Sequence, residues 1–182
     1  MPWLGGALIG KVGGSDQEGR HMAFRSTVAF ILLLASAASP AQPPQRLDAR
    51  SAQAIVAGCV THSAGRNQSH AIFVVDAGGH EVAALRMDGN GFGIMEFARA
   101  KAEAAAAWGF STAQMAEGAR ATPGFADAPR VVTVAGGLPI FSADGRERIG
   151  AVGVSGEAPA DDAACAEAGI IAAGLRSARA AG

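Results

Sequence analysis

The chain has 182 residues, 49% of them hydrophobic, with 16 acidic and 15 basic side chains and a formal net charge of -1. That length and apolar content suit one globular domain rather than a disordered chain. A near-zero charge without any basic run gives no electrostatic reason to expect a nucleic-acid partner, since backbone binding relies on clustered Lys and Arg.

Residues 1–21 hold six glycines, among them Gly5, Gly13 and Gly19, and no long apolar run, so they read as a leader extension ahead of Met22. From Met22 the pattern changes. Arg25 supplies a positive start, Val28 to Ala38 is uncharged and apolar, and Ala35-Ser36-Ala37 and Ser39-Pro40-Ala41 offer small residues for cleavage. This is the grammar of a signal peptide over residues 22–41. The run is too short to span a bilayer, which takes about 20 residues, so no stable membrane span is expected after cleavage. The chain is therefore expected to be exported, to the periplasm or outside the cell.

Residues 42–46 form a tail, and residues 47–182 the domain. An alanine-rich stretch from Leu47 to about His62 predicts the first helix. Ala71–Asp76 and Glu81–Met87, separated by Ala77-Gly78-Gly79-His80, predict a hairpin. Ile94 to Trp108 predicts the second helix, and Ser111 or Thr112 caps a shorter one through Ala119. Arg130–Ala135, Leu138–Phe141 and Glu147–Val154 predict three further strands. Pro139 marks an edge or bulge beside the Gly136-Gly137 corner. A last helix runs from Asp161 to about Ala178. Short turns between strands make the sheet antiparallel and the class α+β.

The second helix carries the most chemistry. Ile94, Phe97, Ala98, Lys101, Ala104, Ala105 and Trp108 share one face by their spacing, with Lys101 in the middle of the apolar stripe. A lysine there meets a carboxylate, with Asp88 or Asp76 as candidates, or lines a ligand pocket. Arg86 and Asp88 alternate about Met87 and point to one side of an extended segment, so an Arg, an Asp and a Lys are candidates to converge at the strand-to-helix junction. Gly136 and Gly137 permit close backbone approach in a pocket wall or a bulge.

Other motifs exclude more than they assign. Gly150-Ala-Val-Gly-Val-Ser-Gly156 lacks dinucleotide spacing, and Glu157, Asp161 and Asp162 at the next helix start would repel a phosphate. His62, His70 and His80 form no metal pattern and read as surface or capping residues, so no metal is assigned. Cys59 and Cys165 are either a disulfide or a pair of buried free thiols.

Six segments in register, Val74–Gly79, Ala84–Gly89, Ala98–Ala102, Ala135–Ile140, Gly150–Gly156 and Asp161-Asp162 with Ala166–Gly169, resemble the GlcG/HbpS (DUF336) family of haem-binding-type proteins. The resemblance covers nearly all of Leu47 to Leu175. It implies a profilin-like fold with a five-stranded antiparallel sheet, assembly into homo-oligomers, and haem as a possible cofactor. Lys101 falls on the family's helix lysine, and Arg86 and Asp88 on its Arg-Met-Asp pattern. The helix here reads Lys-Ala-Glu-Ala-Ala where Lys-Ala-x-Thr-Ala is common, and its entry Phe92-Gly93-Ile94-Met95 is more apolar than usual.

Two functions follow as expectations. One is binding of haem or a similar apolar anionic small molecule. Arg86 or Lys101 would counter its carboxylates, Phe92, Met95 and Phe97 would provide apolar contacts, and Gly136 and Gly137 would sit in the wall. The other is a cofactor-free isomerase, hydratase or lyase on a small hydrophobic substrate, with Lys101 and Asp88 exchanging protons.

Overall fold

The computed structural model describes residues 46–181. The leader extension, the signal peptide and all of the tail but Arg46 lie outside these residues.

Four helices and four strands make up the domain in the order α1 (Ala49–Ala64), β1 (Ala71–Asp76), β2 (Glu81–Arg86), α2 (Phe92–Trp108), α3 (Thr112–Ala121), β3 (Gly137–Phe141), β4 (Arg148–Ser155) and α4 (Pro159–Ala172). A single 3-10 turn, Phe125–Asp127, follows α3. The strands form one antiparallel sheet in the order β2-β1-β4-β3. Its two faces are covered by different helices. Ile72, Val74, Val152, Val154 and Ile140 pack with Ile55, Cys59, Cys165 and Ile170 of α1 and α4. Ala71, Phe73, Val75 and Ala151 pack with Ala98, Ala102, Ala105 and Ala106 of α2. Both faces of β1 are buried, so its sequence is a continuous apolar run rather than an alternation.

Small residues set the layer spacing. A Cβ on Gly153 of β4 would lie 2.0 Å from the Ala98 carbonyl oxygen and 2.4 Å from the Ala102 nitrogen, so α2 rests directly on the strand backbone. On the other face, a Cβ on Gly169 would meet the Ile55 oxygen at 2.5 Å, and one on Gly58 would meet the Ala172 Cβ at 2.5 Å. Cys59 and Cys165 are joined by a disulfide, fixing α1 to α4. The two readings of these cysteines resolve in favour of the bond.

The α+β class and the antiparallel sheet hold, but the described residues contain four strands rather than five. Arg130–Ala135 is irregular. It follows Pro129, and Arg130 itself has φ +59°, which breaks extended geometry at the outset. The Arg130 guanidinium binds Glu103 at 2.7 Å and Trp108 donates to the Pro129 carbonyl at 3.1 Å, tying this segment to α2 instead of the sheet. The last helix also stops earlier than expected. Gly174 at φ +71° ends it, after which Arg176 pairs with Phe141 at the outer edge of β3.

Candidate functional site

Lys101 lies in the third turn of α2, on the face pressed to the sheet, and is fully buried. Its Nζ donates to Asp162 Oδ2 at 2.9 Å and to the Val154 carbonyl at 2.9 Å, and lies 4.7 Å from the centre of the Phe97 ring. Two hydrogen-bond acceptors and an aromatic face thus surround the ammonium. The partner is neither Asp88 nor Asp76. Asp76 accepts the backbone N–H groups of Gly78 at 2.8 Å and His80 at 2.9 Å, closing the β1–β2 turn. Asp88 is exposed on the turn before α2, and its backbone carbonyl accepts the Ser69 hydroxyl at 2.6 Å.

Asp162 reaches Lys101 from α4, across the end of the sheet. Its place in the first turn of that helix suits a carboxylate. Oδ1 accepts the Glu157 N–H at 3.1 Å. The passage between the layers exists because residue 136 is glycine. At φ +121° a Cβ there would meet the Val154 oxygen at 2.5 Å, Lys101 Nζ at 2.8 Å and the Asp162 Cβ at 2.9 Å. Gly137 gives the same freedom to the α2 side, where a Cβ would lie 2.5 Å from the Lys101 carbonyl oxygen.

The buried polar chain continues to the disulfide. His70 Nε2 lies 3.6 Å from Asp162 Oδ1, and His70 Nδ1 lies 2.8 Å from Ser63 Oγ. Ser63 Oγ is also 2.8 Å from the Cys59 carbonyl and 3.2 Å from Cys165 Sγ. Burial holds the His70 imidazole below its ordinary pKa, against the opposing pull of Asp162 and Glu157. Ser63 gives its one hydroxyl proton to the Cys59 carbonyl, so a neutral ring meets it with the proton on Nδ1, donating to Ser63 Oγ, while Nε2 faces Asp162 without a hydrogen bond. Contrary to its reading as a surface or capping residue, His70 is completely buried.

Beside this polar chain is an open cleft of about 380 Å³ lined by Arg86, Asn90, Gly91, Phe92 and Met95. Arg86 ends β2 and donates to the Asn90 carbonyl. The buried Asn90 amide donates to Ser69 Oγ at 2.8 Å, which fixes the turn that carries the cleft. Phe92 opens α2 and is 78% exposed. Arg86, Phe92 and Met95 are therefore brought together, and Phe97 joins Lys101. Lys101 and Asp88 are not paired. Among the described residues, no group of three or more His, Cys, Asp or Glu is placed to hold a metal, and no helix is long and apolar enough to cross a membrane.

Residues 47–171 match the sequence model of a family described as "Haem degrading protein HbpS-like". The chain belongs to the HbpS-like family. HbpS-like character extends to the fold. The structure of a PduOC:haem complex superposes with a TM-score of 0.68 at 24% identity, covering 74% of this chain and all of that one. The Klebsiella pneumoniae protein ORFY, of DUF336, gives 0.66 at 24% identity over 74% of this chain and 95% of its own. A double mutant of Streptomyces reticuli HbpS gives 0.64 at 27% identity, with 71% and 88% covered. Among curated protein sequences, none matches this chain.

Within this HbpS-like domain, Ser63, His70, Asn90 and Asp162 were not expected at the site. Asp162 carried a signal, a carboxylate in a helix first turn, but it reads there as a helix-end charge. Its pairing with a lysine 61 residues away depends on topology alone.

Proposed function

We propose that this protein is exported and binds haem or a similar planar, apolar anion. The observation that carries the reading is the cleft that unites Arg86, Phe92 and Met95. A guanidinium stands there beside an exposed aromatic ring and a thioether, the donor set suited to a carboxylate-bearing apolar ligand. Membership of the HbpS-like family and likeness to a haem complex support it. Lys101 is engaged by Asp162, which assigns the counter-charge to Arg86. Met95 supplies the one soft donor among the lining residues, and haem bound there would bring the iron chemistry that the side chains lack.

Export is supported by the signal-like residues 22–41 and by the disulfide, since such bonds persist in oxidising compartments. Titration with haemin, followed in the Soret band, tests the binding. A saturable shift is expected, weakened about tenfold by Arg86→Gln or Phe92→Ala, roughly what one charge-assisted contact or one apolar contact supplies. Absence of a saturable shift rejects the reading.

A further inference from the structure

The far end of α2 carries a second recess that the haem reading does not use. About 460 Å³ in volume, it lies where the C-terminus of α2, the start of α3, β3 and residues 177–179 meet. It is about 24 Å along α2 from Phe92, at 1.5 Å per residue. Its walls include three aromatic rings, Trp108, Phe110 and Phe141. Two guanidiniums, Arg148 and Arg179, complete it, and no acidic residue is among those lining it.

Both arginines are held by backbone carbonyls rather than carboxylates. Arg148 donates through one terminal nitrogen to the Ala106 carbonyl at the end of α2. Arg179 donates through one terminal nitrogen to the Arg146 carbonyl at 2.7 Å, with its guanidinium carbon 5.4 Å from the centre of the Phe141 ring. Each keeps its full charge and most of its five N–H donors for another acceptor. Trp108 is fixed from behind. Its indole N–H donates to the Pro129 carbonyl, and its ring meets Phe125 edge-on at 5.2 Å, yet it remains 37% exposed. Gln114 spends its side-chain oxygen on Ser111, at 2.9 Å to the backbone N–H, and retains its amide donors.

The geometry points to a second small-molecule site, built for an aromatic carboxylate of one or two rings. The aromatic walls take the ring, and the guanidiniums take the carboxylate. This site stands or falls independently of haem binding at Arg86.

The sequence supplies its own reporter. It contains no tyrosine and two tryptophans, Trp3 and Trp108, so the full chain carrying Trp3→Phe fluoresces from this recess alone. Titration of that protein with phthalate and with benzoate is expected to change Trp108 emission saturably in the millimolar range or below, whereas uncharged benzamide gives no saturable change. Arg179 is exposed beyond the last helix, and Arg179→Gln is expected to weaken phthalate binding about tenfold. Arg50→Gln on α1, with the same loss of charge, leaves it unchanged. Circular dichroism and haemin titration of both variants report on the fold and on the other cleft. The proposal is overturned if neither carboxylate gives a saturable change, if benzamide matches them, or if Arg179→Gln binds as the parent does or no worse than Arg50→Gln.

Discussion

Lys101 and Asp162 illustrate how a single charged pair can hold two layers together. The pair lies between α2 on one face of the sheet and α4 on the other, and each partner is almost completely buried. A buried ion pair adds little net stability compared with apolar residues, but removing one member strands the other without solvent. Asp162→Asn is therefore expected to cost about 3–5 kcal/mol in urea denaturation, and the double change Lys101→Met with Asp162→Leu to recover much of it. His70 sets a different dependence. Because burial depresses its folded pKa below the ordinary value of 6.5, the unfolded chain takes up the proton first. The stability His70 contributes is complete above about pH 6.5 and is lost as the pH falls through its depressed folded value. The groups facing it, Asp162, Glu157, Asp161 and His62, are included in that direction. Thermal midpoints measured from pH 7.5 to 4.5 should fall in the wild type and flatten in His70→Gln. An unchanged slope in the variant would assign the acid sensitivity elsewhere. The carboxylates of Asp76 and Asp144, held low by hydrogen bonds, act only below the ordinary carboxylate range.

Elements were legible where pattern and punctuation agree. The β1–β2 hairpin, α2 and the Ser111 cap lie within a residue or two of their expected bounds, because Gly78-Gly79, the stripe of alanines and a hydroxyl at the cap are local signals. Arg130–Ala135 has strand composition yet remains outside the sheet, since its backbone direction is set by Pro129 and by the distant Glu103. The cleft was readable through Arg86, Phe92 and Met95, which lie within ten residues of one another. The Ser63–His70–Asp162 chain was not, because it joins three elements that only the folded sheet brings together. Small residues decide the contact between α2 and β4. Gly153→Ala should force α2 off the strand, costing about 1–3 kcal/mol as overpacking. Denaturant midpoints check this, and a neutral outcome would mean the helix yields without loss.

On the scale of the whole domain, the disulfide closes a loop of 106 residues between α1 and α4. The chain-entropy model assigns a loop of that size about 4.7 kcal/mol, of which proteins commonly realise 2–4. Cys59→Ala with Cys165→Ala should lower stability by about 2–4 kcal/mol with haemin affinity little changed, since neither cysteine lines the cleft. Protein recovered from the exported fraction should show no free thiols and, with the signal removed after Ala41, a mass beginning at Gln42. A retained N-terminal segment or two free thiols would count against export.

The outer strand β3 has a protected margin. Pro139 has no N–H to offer, and Phe141 exchanges both of its backbone hydrogen bonds with Arg176, at 2.7 and 3.2 Å. The opposite border, β2, has no such cover among the described strands. Lateral growth of this sheet is therefore one-sided. If two copies join through β2, each exhausts the other's open border and the process ends at a closed pair, so the architecture is protected by geometry against the endless ribbon that two open borders would permit.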